Sequence, residues 1–281
     1  MIVSVASGKG GTGKTTVAVS LALAAASSRP DRVQLLDCDV EEPNCNLLLG
    51  MGLETVEEVN LGVPEIDKAK CDFCGKCADF CNYHALAVLP SDVIVFRELC
   101  HGCGGCMLLC PKGAIGEKPR TIGTIQRGQK NGLELFQGLL NIGEAVAVPV
   151  IRALKMKMET EKLVILDSSP GAACPVVETI RGSDLCILVT EPTPFGIHDL
   201  KIAVQVARKL KVPFGVIINR DGIGDERVDD WCKEEEIPVL LRIPNSLEVA
   251  RLYSKGIPPL LAMPGLKNRF VELLKAVEGR T

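Results

Sequence analysis

Gly8-Lys9-Gly10-Gly11-Thr12-Gly13-Lys14-Thr15 fits the pattern G-x-x-x-x-G-K-[ST]. Glycines in such a loop let successive backbone N–H groups turn inward around phosphate oxygens, and the N-terminus of a following helix adds favourable partial charge. Lys14 is placed to reach the β- and γ-phosphates of ATP, and the Thr15 hydroxyl to ligate Mg²⁺. Gly8, Gly10, Gly11, Thr12, Gly13, Lys14, Thr15 and Thr16 are therefore the expected ATP-binding residues at this end of the chain. A second lysine, Lys9, cannot easily serve its own phosphates as Lys14 does, and is better placed to cross a dimer interface toward a partner's nucleotide.

A second chemistry lies further along. Cys71-x₂-Cys74-x₂-Cys77-x₃-Cys81 is followed by Cys100-x₂-Cys103-x₂-Cys106-x₃-Cys110-Pro111. This is the bacterial ferredoxin run, present twice, in which the fourth cysteine of each run ligates the other cluster. The spacing predicts two [4Fe–4S] clusters, one on Cys71, Cys74, Cys77 and Cys110, the other on Cys81, Cys100, Cys103 and Cys106. A zinc site, which usually takes two ligand pairs with a longer spacer, fits less well. The first run ends in Cys81-Asn82 where the second has Cys110-Pro111; Asn also adopts turn conformations, so little loss of binding is expected. Gly102, Gly104 and Gly105 allow close backbone approach to a cluster, and His84 and His101 read as surface loop positions.

The chain that must position these groups has 281 residues, 47% of them apolar and 24% charged, with aromatic residues only 4%. That composition is globular, with a core of Val, Ile, Leu and Ala. A net charge of −3 gives no electrostatic case for a nucleic-acid binder. No secretory signal is read at the N-terminus, and the apolar stretches fall short of the roughly 18 residues needed to span a bilayer, so a cytoplasmic protein without stable membrane insertion is expected. Thirteen cysteines, eight of them between Cys71 and Cys110, then indicate clusters rather than disulfides.

Ile2–Ala6 reads as a strand, followed by the glycine loop and a helix over Thr15–Ala26. Val33–Leu36 reads as a second buried strand, leading to Asp37 and Asp39. Residues 63–116 are dense in Cys and Gly and match a two-cluster ferredoxin in length. Thr121–Gln126 and Leu133–Leu140 flank the turn Lys130-Asn131-Gly132, a hairpin signal, and a helix is expected over Ala145–Met158. Apolar runs at Leu163–Leu166, Leu185–Val189, Phe214–Ile218 and 237–243 alternate with helical segments at 175–181, 197–210 and 226–236. That alternation predicts an α/β fold with a mostly parallel sheet and right-handed crossovers. The domain reading is residues 1–62 with 117–281 as a P-loop ATPase and 63–116 as a small inserted α+β ferredoxin domain. At the C-terminus, Leu266, Phe270, Leu273, Leu274 and Val277 share one helical face. Lys267, Arg269, Lys275 and Arg280 against Glu272 and Glu278 make the tail only weakly basic, so this face is read as covering the sheet rather than a membrane.

Lys-Gly-Gly-Thr-Gly-Lys-Thr-Thr from Lys9 resembles the deviant Walker A motif of the MinD/ParA/Mrp family, which includes the nitrogenase iron protein. Leu35-Leu36-Asp37-Cys38-Asp39 is similar to that family's second-strand motif, and Val164–Asp167 with Ser168-Ser169-Pro170-Gly171 to its Walker B strand and switch II. Asn219-Arg220 matches the adenine-recognition position, and Ile243-Pro244-Asn245 the segment that closes over the base. The resemblance implies Lys9, Lys14 and Asp39 as the catalytic set, with Lys9 acting across a nucleotide-sandwiched dimer and Asp39 positioning the attacking water. It implies Asp37 and Asp167 around Mg²⁺ with Thr15, and Gly171, Asn219 and Pro244 as further nucleotide contacts. Cys174 lies seven residues after Asp167, the offset of a cluster-ligating cysteine in the nitrogenase iron protein; a second matching cysteine has no evident counterpart.

These readings together imply a cytoplasmic ATPase whose ATP-dependent homodimerisation gates electron transfer through the clusters to an unknown redox or client protein. A MinD/ParA-like positioning switch, or a metallocentre-maturation ATPase, with clusters that sense redox state is the alternative. The nucleotide-binding part also resembles that of cobyrinic acid a,c-diamide synthase, but the glutaminase domain of those enzymes is absent, which argues against amidation.

Overall fold

The computed structural model describes residues 1–279, so Arg280 of the tail lies outside the described residues. The chain opens with strand β1 (Ile2–Ala6), the glycine loop and helix α1 (Lys14–Ser28), then β2 (Val33–Asp37) and a short α2 (Cys45–Leu49). A long strand β3 (Glu54–Ile66) leads to the cysteine segment, which holds α3 (Lys76–Phe80), the hairpin β4 (Leu86–Val88) and β5 (Val93–Val95), and α4 (Gly105–Leu109). The chain returns through β6 (Ile115–Lys130) and turns into β7 (Leu133–Leu140) and α5 (Val148–Lys155). Then follow β8 (Leu163–Asp167), α6 (Cys174–Ile180), β9 (Leu185–Thr190), α7 (Pro194–Leu210), β10 (Phe214–Asp221) and α8 (Arg227–Glu234). The chain closes with β11 (Val239–Pro244), α9 (Leu247–Ser254), α10 (Pro259–Ala262) and α11 (Pro264–Glu278).

Nine strands form one sheet in the order β11-β10-β9-β1-β8-β2-β7-β6-β3. The seven from β11 to β7 run parallel; β6 and β3 add an antiparallel edge. Alternation along each central strand divides the apolar side chains between two faces. Leu35, Ile165 and Ile187 pack with α1 and α11 on one face, while Leu36, Leu166 and Leu188 pack with the helices α5 to α7 on the other. The expected stripe Leu266, Phe270, Leu273, Leu274 and Val277 is buried in the first of these clusters. No helix among the described residues is long and apolar enough to cross a membrane.

Three elements differ from the sequence expectation. The hairpin turns at Asn131 and Gly132, both at positive φ, but β6 extends back to Ile115 because it pairs with β3 from Glu54↔Arg127 to Ile66↔Ile115. β3 itself, ETVEEVNLGVPEI, was not expected as a strand: it lies at the sheet edge, where charges and Pro64 are tolerated. The helix expected over 145–158 is confined to Val148–Lys155. Residues 62/63 and 116/117 fall inside β3 and β6, so two paired strands run unbroken from the large sheet into the cysteine segment. That segment has a small apolar cluster of its own, with Val63, Ala85 and Cys100 buried and Cys81 packed against them.

Candidate functional site

The glycine loop leaves β1 at the C-terminal edge of the parallel strands, where open α/β sheets bind their ligands. Gly13 caps α1 at φ 92°, a conformation that an L side chain adopts only with strain. Gly8 passes so close to α7 that a Cβ there would lie 2.1 Å from the Asp199 carbonyl oxygen. Lys14 and Thr15 open α1, and Lys14 Nζ lies 3.8 Å from Asp39 Oδ2 with both side chains largely buried.

β2 and β8 pair in register, Asp37 opposite Asp167, so two carboxylates meet at the strand ends. Asp37 accepts backbone N–H bonds from Asp39 (3.2 Å), Asn44 (2.9 Å) and Cys45 (2.9 Å). Asp167 interacts with the Thr15 hydroxyl and accepts a bond from Cys45 Sγ at 3.5 Å, while its Oδ1 is buried without a hydrogen-bond partner. Burial raises the pKa of both carboxyls, and Asp167 raises Asp37 further. Asp39 is pushed up to about 6 by burial, against the opposing pull of Lys14. A buried carboxylate pair with an unpaired oxygen beside the Thr15 hydroxyl is an oxygen-rich donor set suited to a divalent cation such as Mg²⁺. Among the described residues, Asp37, Cys45 and Asp167 are the one group of three whose ligand atoms lie within 4.8 Å of one another.

The other expected nucleotide contacts lie at or after the C-terminal ends of β8, β10 and β11. Gly171 sits at φ 97° after β8 and donates its N–H to Ser7 at 2.9 Å. Asn219, near the end of β10, donates from Nδ2 to the Thr12 carbonyl at 2.7 Å. Pro244 ends β11 opposite Asp221 and is exposed. Lys9 is in place in the loop, and its ammonium pairs within the same chain with Glu191, which follows β9. Glu191 also takes Arg220 Nη1 at 3.0 Å. Burial pushes the Glu191 carboxyl up, but Lys9 and Arg220 outweigh it and hold the group below its ordinary range. Sequence reasoning missed Glu191 and gave Cys45 no role; the polar run Glu191-Pro192-Thr193-Pro194 straight after an apolar strand was the available signal.

The eight clustered cysteines line two cavities. Cys81, Cys100, Cys103 and Cys106 line one of about 240 Å³, together with Tyr83, His101 and Gly104. Cys71, Cys74, Cys77 and Cys110 line a narrower one with Pro111 and Ile115. Backbone N–H groups of Ala85, Gly102 and Ala114 donate to Cys81, Cys100 and Cys110 Sγ at 3.3, 3.4 and 3.3 Å. Neither quartet brings three sulfurs within 4.8 Å of one another. Tetrahedral zinc with bonds of about 2.3 Å would need sulfurs roughly 3.8 Å apart. His101 stacks on Tyr83, centroids 3.6 Å apart. Cys38, Cys186 and Cys232 are buried, and Cys174 is exposed as the first residue of α6.

The family described as the CobQ/CobB/MinD/ParA nucleotide binding domain matches residues 3–260. An uncharacterised protein of Methanocaldococcus jannaschii is 31% identical over 97% of this chain and 96% of its own. An iron-sulfur cluster carrier protein of Pyrococcus horikoshii is 23% identical over 99% of this chain and 88% of its own. Among solved structures, the Pyrococcus furiosus cell division ATPase MinD aligns with a TM-score of 0.59 at 20% identity, covering 100% of this chain and 99% of that one. A chain of the MinC:MinD cell division protein complex of Aquifex aeolicus aligns with a TM-score of 0.61 at 16% identity, covering 100% of this chain and 96% of that one. With the match running from β1 into α10, this chain belongs to the CobQ/CobB/MinD/ParA nucleotide-binding family and is a P-loop ATPase of the MinD/ParA type.

Proposed function

We propose that the chain binds ATP with Mg²⁺, hydrolyses it as a nucleotide-dependent homodimer, and couples dimerisation to electron transfer through two [4Fe–4S] clusters to a partner protein. The observation that carries this reading is the presence, in one chain, of a P-loop site and two cysteine quartets lining separate cavities, joined by the continuous strands β3 and β6. Residues 1–62 and 117–281 form the ATPase in this reading, and 63–116 the inserted ferredoxin domain. The two C-x₂-C-x₂-C-x₃-C runs favour iron–sulfur cubes over zinc, and the N–H donors on Cys81, Cys100 and Cys110 would support these thiolates as ligands.

In hydrolysis, Lys14 neutralises the β- and γ-phosphates, and Thr15, Asp37 and Asp167 hold Mg²⁺. The ion, when bound, neutralises phosphate charge and fixes its orientation. The arriving γ-phosphate competes with Asp39 for Lys14. Asp39, titrating close to neutrality, is then free to orient the attacking water and accept its proton. Lys9 acts on the partner's nucleotide, and Asn219 and Pro244 bracket the base.

The test is anaerobic preparation followed by iron analysis and stopped-flow oxidation of the dithionite-reduced protein by a one-electron acceptor protein. About eight iron atoms per chain are expected, with faster electron transfer under a non-hydrolysable ATP analogue than under ADP. About one zinc without labile sulfide overturns the cluster assignment, and equal rates overturn the coupling. The relatives named iron-sulfur cluster carrier proteins support a second reading, a metallocentre-maturation ATPase. ATP-dependent transfer of a cluster from this chain to an apo-ferredoxin would select it.

A further inference from the structure

The sheet order β1-β9-β10 sets three chain ends side by side. Lys9 lies in the loop after β1, Glu191 directly after β9, and Arg220 near the end of β10. The Glu191 side chain is 9% exposed and divides its oxygens, Oε1 to Lys9 and Oε2 to Arg220. Lys9 is therefore committed to its own chain, although a role on a partner's nucleotide requires its ammonium to leave.

The second cation makes that departure feasible. Removing the sole partner of a buried carboxylate leaves an uncompensated charge, which is strongly destabilising. Here Arg220 stays behind on Oε2 when Lys9 leaves. Arg220 is also tied to the base side of the site: its N–H donates to Asn219 Oδ1 at 2.9 Å, and Asn219 Nδ2 holds the Thr12 carbonyl at 2.7 Å. Arg220 adopts φ 54°, a strained conformation for a residue other than glycine. One carboxylate thus joins Lys9 to the residues that would meet the base.

We propose that Glu191 is a positioning residue that retains Lys9 within its own chain until a nucleotide-bound partner draws it across, and so sets the ATP threshold for dimerisation. This rests on the reading of Lys9 as a residue that acts across an ATP-dependent dimer. A contact made only in the monomer opposes dimerisation by its own free energy. A largely buried ion pair with a second cation on the same carboxylate is worth about a threefold to tenfold shift. ADP presents no γ-phosphate to compete with Glu191 for Lys9, so the pair persists with ADP.

The experiment uses the anaerobic, full-length protein with Mg²⁺ and a non-hydrolysable ATP analogue, titrated by analytical ultracentrifugation. Glu191→Gln keeps the shape and removes the charge; it is expected to lower the analogue concentration at half-dimerisation about threefold to tenfold. Glu191→Asp, which keeps the charge but shortens the reach, falls between Gln and wild type and serves if the Gln variant does not fold. Without nucleotide, the acetylation rate of Lys9 relative to Lys267, read by mass spectrometry, should rise in Glu191→Gln. In a Lys9→Ala background, Glu191→Gln should leave dimerisation unchanged, since nothing is left to retain. A wild type that does not dimerise overturns the dimer reading and this proposal with it. Dimerisation at the same concentration in wild type and both Glu191 variants, unchanged Lys9 labelling, or a shift that survives Lys9→Ala overturns this proposal alone.

Discussion

Asp37 and Asp167 stand opposite one another in register on adjacent parallel strands, both fully buried, and Asp167 Oδ1 has no hydrogen-bond partner. Two carboxylates meet here at the point where the glycine loop delivers Lys14 and Thr15. Each hinders the ionisation of the other, and a divalent cation relieves that repulsion.

Asp167→Asn removes one of these charges without removing a hydrogen bond that Oδ1 makes. The nucleotide-free protein should therefore unfold at a higher temperature at pH 8, because burial no longer opposes a charge at this position. The Mg²⁺ concentration for half-maximal ATPase should rise by roughly 10–100-fold, as for loss of a metal-orienting group. Differential scanning fluorimetry and a Mg²⁺ titration check the two halves.

Lys14→Ala should abolish ATP binding in equilibrium dialysis, because no other group supplies its charge at the phosphates. Asp39→Ala should retain ATP and the dimer, yet lower the hydrolysis rate by roughly 10²–10⁴-fold, the usual worth of a positioned base. Wild-type turnover in Asp39→Ala would remove Asp39 from the mechanism.

Cys110 follows Cys100, Cys103 and Cys106 in sequence but lines the cavity of Cys71, Cys74 and Cys77. Cys110→Ala should therefore damage the cluster of the first run, and Cys81→Ala that of the second. Paired with Cys71→Ala and Cys100→Ala as references, EPR of the reduced proteins should group Cys110 with Cys71 and Cys81 with Cys100. Grouping by sequence neighbourhood would contradict the crossed arrangement.

Glu134 on β7 ties the base of the β3–β6 ribbon to the large sheet. It accepts from Gln34 on β2 (2.9 Å), Arg127 on β6 (2.8 Å) and Lys162 (2.9 Å), and is 5% exposed. Burial pushes its pKa up, but Lys162, Gln34 and Arg127 outweigh this and hold it below the ordinary value. With the folded pKa below the unfolded one, the stabilisation is present above about pH 4.3 and is lost as pH falls through the folded pKa. Glu134→Gln should cost roughly 1–3 kcal/mol at pH 7, and its deficit against wild type in urea denaturation should narrow on acidification.

The sequence by itself determined the features that depend on near neighbours. The glycine loop, the cysteine spacings, the Asn131-Gly132 turn and the apolar stripe from Leu266 to Val277 are each short patterns with one geometrical meaning. The mainly apolar runs of β1, β2, β8, β9 and β10 were legible because strands covered on both faces bury most of their side chains. Edge strand β3 was not legible: its charged residues suit one-sided pairing with β6, and only the partner reveals it as a strand. The family resemblance already implied Asp37 and Asp167 at one Mg²⁺ site, but the tertiary structure decided the register that sets them directly opposite, because strand pairing joins residues 130 positions apart. It also brought Glu191 to Lys9 across 182 positions, since strand order, absent from any local pattern, sets which chain ends become neighbours.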